Sequence, residues 1–215
     1  MADDWFRKVS WTDGERNDFF ERLNRSRKYN RAQYLRIQAS HLAGNKDLAS
    51  LSAALDLLEI LFTDYPERTE MASAYLQKAE CLLELGRVSE ALIYVKKAID
   101  FQRGFPNVQT QAPIQFGLMV LEHDLFDEFE SVVLILNEFE EDIIVFPVDT
   151  YHVYAIRAII EKRNGSSHKA KSFAEKAMEA ARRSSSGFQY HASLGLVRDL
   201  ETNLHRKLQA VISNN

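Results

Sequence analysis

Residues 75–98 read YLQKAECLLELGRVSEALIYVKKA, and residues 154–177 read YAIRAIIEKRNGSSHKAKSFAEKA. The second stretch echoes the first at an offset of 79: Tyr75 and Tyr154, Ala79 and Ala158, Gly86 and Gly165, Ala91 and Ala170, Ala98 and Ala177. Each glycine opens a similar phrase, Gly-Arg-Val-Ser-Glu-Ala in one and Gly-Ser-Ser-His-Lys-Ala in the other. Self-similarity at a fixed spacing sets architecture before any single motif does. A repeat is one supersecondary unit that buries its apolar face only against its neighbours. The pattern predicts a helix on each side of the glycine, and the 79-residue offset spans two such helical hairpins.

Working outward, Thr12-Asp-Gly-Glu15 fits a capping box that starts a helix to about Arg27, with Trp5, Phe6 and Trp11 anchoring the segment before it. Helix 1A is expected over Arg31 to Ala43, with Ala32, Leu35, Ala39 and Leu42 at helical spacing, and helix 1B over Ala49 to Thr63. Helix 2A spans Thr69 to Leu85 and 2B Ser89 to Phe101; Gly86 between them suits a left-handed C′ position. Helix 3A is expected over Val108 to His123 with Pro113 in its first turn, and 3B over Phe126 to Glu140. Helix 4A covers Asp149 to Arg163, and Ser166 or Ser167 caps 4B, which runs to Arg183. After the polar break Ser184-Ser-Ser-Gly187, a long last helix is expected over Phe188 to Ile212, with Val197, Leu200, Leu204, Leu208 and Val211 as its stripe. No stretch alternates with period two, so no sheet is expected.

These residues resemble the tetratricopeptide repeat (TPR), covering about residues 31–183. The repeats holding Tyr75 and Tyr154 match well. Repeat 1 keeps Ala39, Leu42, Ala54 and Pro66 with a longer loop, and repeat 3 carries Gly117, Asp124 and Phe129 where the pattern has Ala, Gly and Ala. Spacing is nearer 40 residues than about 34, so HEAT-like or other α-hairpin arrays stay open. The resemblance implies an all-α fold: a right-handed α-solenoid of about four TPR-like hairpins. It would form a single domain over 1–215, with an N-terminal capping segment (1–30), four hairpins (31–183) and a C-terminal capping helix (184–215). That last helix either caps the array or offers its stripe to a second subunit as a homodimer.

The formal net charge is −4, from 27 Lys and Arg against 31 Asp and Glu, but it is unevenly spread. Arg16 to Arg36 is basic. No Lys or Arg lies between Arg103 and Arg157, a gap holding Glu122, Asp124, Asp127, Glu128, Glu130, Glu138, Glu140, Glu141, Asp142 and Asp149. Cys81 is the only cysteine, so no internal disulfide or cysteine-based metal site is expected. The acidic start and the lack of a long apolar run lead to the expectation of a cytoplasmic protein without a membrane segment.

There is no phosphate loop, no dinucleotide fingerprint and no H-E-x-x-H. His41, His123, His152, His168, His191 and His205 are scattered, without an i,i+4 pair suited to zinc. Adjacent Glu140, Glu141 and Asp142 splay around a helix, and Cys81 reads as a buried, inert thiol. The expectation is therefore no catalytic residue, no cofactor and no metal. By register, the resemblance implies a concave groove including Gln33, Arg36, Ser40, Ser73, Gln77, Glu80, Gln111, Gln115 and His152. The Lys/Asn/Arg set of carboxylate-clamping relatives is absent.

The second candidate surface is the acidic face of repeat 3: Glu122, Asp124, Asp127, Glu128, Glu130, Glu138, Glu140, Glu141 and Asp142, interleaved with Phe126, Phe129 and Phe139. The expected function is non-catalytic binding of another protein or peptide, with an immunity (antitoxin) protein and a secretion chaperone as concrete versions. A nucleic-acid-binding repeat protein using Arg22, Arg25, Arg27, Lys28 and Arg31 is one alternative, against which the negative net charge argues. An enzyme with a site assembled across repeats is the other, to be revived by a deep pocket holding convergent His and carboxylates.

Overall fold

The computed structural model describes residues 4–200 and 202–213. Expectations for the extreme termini fall on residues 1–3 and 214–215, outside the described residues. Among those described, ten α-helices and two 3-10 turns occur, and no strand. The chain divides into two compact units, residues 1–110 and 111–215.

The first unit contains α1 (Asp13–Arg25), α2 (Arg31–Ala43), α3 (Leu48–Asp64), α4 (Arg68–Glu84) and α5 (Val88–Gly104). The capping box before α1 is present: the Thr12 N–H donates to Glu15 Oε2 at 2.8 Å, and Glu15 N–H to Thr12 Oγ1 at 3.4 Å. Behind it, Trp5, Trp11 and Tyr34 gather around buried Phe19, with ring centroids 5.0–5.4 Å apart for Trp5–Tyr34, Trp5–Phe19 and Trp11–Phe19. Buried Gln38 clasps the same segment, accepting from Lys8 N–H at 3.0 Å and donating to its carbonyl at 2.7 Å. On α3, Leu51, Ala54, Leu57, Leu58 and Leu61 repeat at helical spacing and are all buried. The hairpins α2/α3 and α4/α5 turn in short loops, and α4 packs on both helices of the preceding hairpin.

The second unit contains α6 (Ala112–Glu122), α7 (Phe129–Ile143), α8 (Pro147–Arg163), α9 (Ser167–Ala181) and α10 (Asn203–Ser213). Helices α6/α7 and α8/α9 form hairpins, and α10 packs on α6, α8 and α9. Gly117 lets α6 come close: a Cβ there would lie 2.9 Å from Ile156 Cδ1 and 3.3 Å from Val132 Cγ1.

The expected glycine caps form twice with the same hydrogen bonds. Gly86 has φ +72° and Gly165 φ +80°. Around them Arg87 N–H bonds the Leu82 carbonyl and Ser166 N–H that of Glu161, at 2.8 and 2.9 Å; Gly86 N–H and Gly165 N–H take Leu83 and Lys162. This is the Schellman arrangement, which satisfies carbonyls that the helix end leaves open. In the third hairpin Asp124 adopts the glycine's conformation with φ +51°, and Leu125 N–H reaches the Val120 carbonyl at 2.9 Å. The turn survives the loss of its glycine by straining a carboxylate-bearing residue.

Several expected boundaries move. Helix α6 starts at Ala112, not Val108, since Pro113 belongs in a first turn. A 3-10 turn over Phe126–Glu128 precedes α7. Ser166 stands at the N-cap of α9 without a side-chain capping bond. The largest change concerns the long last helix: 188–200 are not helical, and only Asn203–Ser213 is. Gly187 and Gly195 take φ +86° and +65°, which breaks helical propagation. Gly195 also lies against Phe146, where any Cβ would collide with the ring, and its carbonyl accepts from Val148 N–H at 2.8 Å. Of the expected stripe, Leu204, Leu208 and Val211 remain on a helix, and Leu208 and Val211 are buried in the core of the second unit.

Candidate functional site

Among the groove candidates, Gln33, Arg36 and Ser40 lie on α2 and Ser73, Gln77 and Glu80 on α4, in the first unit. Gln33, Ser40 and Glu80 are exposed and Ser73 is half-buried. Arg36 pairs with Glu70 at 2.5 Å. Gln77 is buried; with its amide turned to match its neighbours it donates to the Arg36 carbonyl at 3.3 Å and accepts from Ser40 N–H at 2.6 Å. Arg36 and Gln77 thus hold α2 to α4. In the second unit Gln111 is exposed before α6, Gln115 is half-buried on α6, and His152 is half-buried on α8.

The 79-residue echo extends to charge. Lys78 and Arg157 occupy equivalent positions, as do Tyr94 and Phe173, and Lys97 and Lys176. In the first unit the buried Lys78 ammonium sits 4.0 Å from the Tyr94 ring centroid, bonds the Tyr94 hydroxyl and pairs with Glu59 of α3. In the second, the Arg157 guanidinium lies 5.7 and 5.8 Å from the Tyr154 and Phe173 rings and donates to Glu140 of α7 at 2.9 Å. Lys97 and Lys176 cover the same rings from outside. Burial alone would depress the Lys78 pKa, but Glu59 and Tyr94 hold it above the ordinary value. Burial raises the hydroxyl pKa of Tyr75 and of Tyr154. Charge at fixed spacing was the signal in the sequence for this pair.

Arg157 also shows that part of the acidic block is committed internally. Glu140 binds Arg157 and accepts from Tyr154 at 3.0 Å. Asp149 is buried and takes the Phe146 and Val145 N–H groups at the start of α8, at 2.8 and 3.2 Å. Asp124 stands 3.6 Å from Lys207. Glu122, Asp127, Glu130, Glu138, Glu141 and Asp142 are exposed, and Glu128 is half-buried. Phe129 and Phe139 belong to the buried side of α7, whereas Phe126 is 43% and Leu134 61% exposed. Between these two runs a shallow groove lined by Phe126, Phe129, Val133 and Leu134, with Asp127, Glu130, Glu161 and Asn164 around it. The Arg163 guanidinium lies 3.4 Å over the Phe126 ring.

A second concavity, of about 390 Å³, lies where the non-helical chain before α10 meets α6 and α8. Leu118, Leu121, Val148, Val197 and Leu204 form its apolar wall, and Tyr151, His152, Lys207 and Thr202 its polar part, with Glu122, Arg198, Asp199 and Asn203. Lys207 Nζ is anchored on the Leu121 carbonyl at 2.7 Å. Burial lowers the His152 pKa, opposed by Asp149. Buried His205 lies 3.1 Å from the Tyr151 hydroxyl through Nδ1 and 3.1 Å from Gln209 Nε2 through Nε2. This cavity was not legible from a continuous last helix.

No family model, curated protein or solved structure matches this chain. Among the described residues no cluster of His, Cys, Asp and Glu is arranged to hold a metal ion, and no helix is long and apolar enough to cross a membrane. Cys81 is buried, and desolvation pushes its thiol up to about 12. That removes the thiolate a nucleophile needs.

Proposed function

We propose that this protein is a non-catalytic binding module that receives a basic segment of another protein on the acidic face of its second unit. The observation that carries this reading is the groove between Phe126 and Leu134. Large apolar side chains stay exposed there, and Asp127, Glu130 and Glu161 stand around them. Exposed apolar surface with a polar rim is the usual anatomy of a contact site. Carboxylates around it accelerate encounter with a basic partner and select against acidic ones. The finer fold reading belongs to the same proposal: four TPR-like hairpins in a right-handed α-solenoid. It is supported by the paired glycine caps and the paired cation–aromatic clusters. Inhibition of a basic toxin domain and chaperoning of a secreted effector are two forms this function could take; a toxin or effector gene beside this one distinguishes them.

The test is an anisotropy titration with a labelled basic peptide at low and high salt. Tight, salt-steep binding that is lost in an Asp127→Lys/Glu130→Lys variant is expected. Binding unchanged by that double reversal would sink the proposal. Glu140 is unsuited to the test because it is bound to Arg157.

The cavity favours a second reading, a small-molecule or catalytic site. Tyr151, His152 and Lys207 converge on a space within the size range of ligand pockets. A ligand screen by thermal shift, repeated on His152→Gln, would support it through hits that depend on His152.

A further inference from the structure

We infer that the groove on the acidic face is an arginine seat, closed in the free protein by the chain's own Arg163. On this view the partner segment enters with an arginine that takes Arg163's place. The inference rests on the binding face proposed above and names what that face selects. Phe126 is the floor of the seat. Its ring is perpendicular to that of Phe129, with centroids 5.6 Å apart and planes at 88°, and the residue stays 43% exposed. Arg163, the last residue of α8, lays its guanidinium on that face, 3.4 Å from the centroid. The contact shows what the seat accommodates: a flat, weakly hydrated cation stacked on an aromatic ring. Asp127, Glu130 and Glu161 line the groove around that ring. A lysine ammonium is compact and strongly hydrated, and it cannot stack in this way.

The contact is also exchangeable. Arg163 is exposed, and so is Phe126. A cation–π contact in such a place is worth only about a two- to five-fold factor in an equilibrium. An incoming arginine displaces Arg163 at little cost and gains the carboxylates. Leu134, at 61% exposure, and half-buried Val133 then offer an apolar shelf to the residues beside that arginine. The occupant is therefore an extended basic segment with arginine next to an apolar side chain. Arg163 acts as a competitor in cis that weakens every arginine ligand by a fixed factor.

The test uses the full chain and two labelled peptides, one alternating arginine and leucine, the other lysine and leucine. The arginine peptide is expected to bind wild type at least about three-fold tighter. Arg163→Ala should tighten the arginine peptide by about two- to five-fold beyond any change in the lysine peptide. Loss of one positive charge helps both peptides alike, whereas opening the seat helps arginine alone. Phe126→Leu, which keeps apolar bulk, should erase the difference between the peptides while salt-dependent binding of both persists. A thermal melt of each variant checks that it remains folded. Equal affinities of the two peptides for wild type, or an Arg163→Ala effect that is the same for both, overturns the seat and leaves the basic-segment reading standing. If neither peptide binds, both readings fall.

Discussion

Asp124 occupies a conformation that glycine holds at the two equivalent turns, with φ +51° against +72° and +80°. A left-handed residue with a Cβ costs about 1–2 kcal/mol, while glycine adds about 0.4–1 kcal/mol of unfolded-chain entropy. The ion pair lost with Lys207 is exposed and weak. Asp124→Gly should therefore stabilise the protein by roughly 0.5 kcal/mol in urea unfolding. The equivalent cations behave differently on removal. Glu59, opposite Lys78, is 52% exposed and is hydrated when its partner goes, so Lys78→Met should cost less than about 1 kcal/mol. Arg157 is 10% exposed and serves Leu136, Asn137 and Glu140 at once. Arg157→Ala should cost about 2–3 kcal/mol, below a fully buried pair because Glu140 is one-third exposed. His152 titrates below its ordinary value through burial, so the unfolded chain takes up its proton first on acidification. Its contribution is complete above about pH 6.5 and is lost as pH falls through the lowered folded value. His152→Gln should lose less stability than wild type between about pH 7 and 5, measured by urea unfolding.

At the scale of the element, the outcome followed how local the governing physics was. Helix α2 runs from Arg31 to Ala43 as its apolar spacing requires, and α4 and α8 end where Gly86 and Gly165 allow the turn. The last helix misled because Val197 and Leu200 continue the spacing of Leu204, Leu208 and Val211 by chance of register. What stops a helix from continuing out of Phe188 is Gly195, with its left-handed backbone and its fit against Phe146, a contact some fifty residues away in the chain. Gly195→Ala meets both a left-handed backbone and that ring. It should cost about 2 kcal/mol or more, with proteolysis appearing first between residues 182 and 202. The candidate face divides in the same way. Its phenylalanines and the carboxylates from Glu122 to Asp142 stand within one stretch of sequence, so they were legible; Glu161 joins the groove from α8 and was not. Arg163 reaches Phe126 from another helix, and Arg157 withdraws Glu140 from the surface, so neither effect had a local sign. The cavity is walled by the segment misread as helix, and it was invisible for that reason.

The whole molecule is two units with their own hydrophobic clusters, one around Phe19, Leu35 and Leu58, the other around Tyr151, Ala174 and Leu208. The proposed binding face, with its proposed arginine seat, and the cavity all belong to the second unit. Units of this kind can unfold as separate cooperative blocks, at different denaturant concentrations. The aromatic cluster around Phe19 makes this measurable without labels. Both tryptophans of the chain, Trp5 and Trp11, sit there. Intrinsic indole emission thus reports directly from the first unit, while far-ultraviolet dichroism sees the helices of both. Urea curves followed by the two signals should differ in midpoint, and coincident curves would show a single cooperative block. The molecule carries its own optical reporter, placed in the half that holds none of the proposed sites.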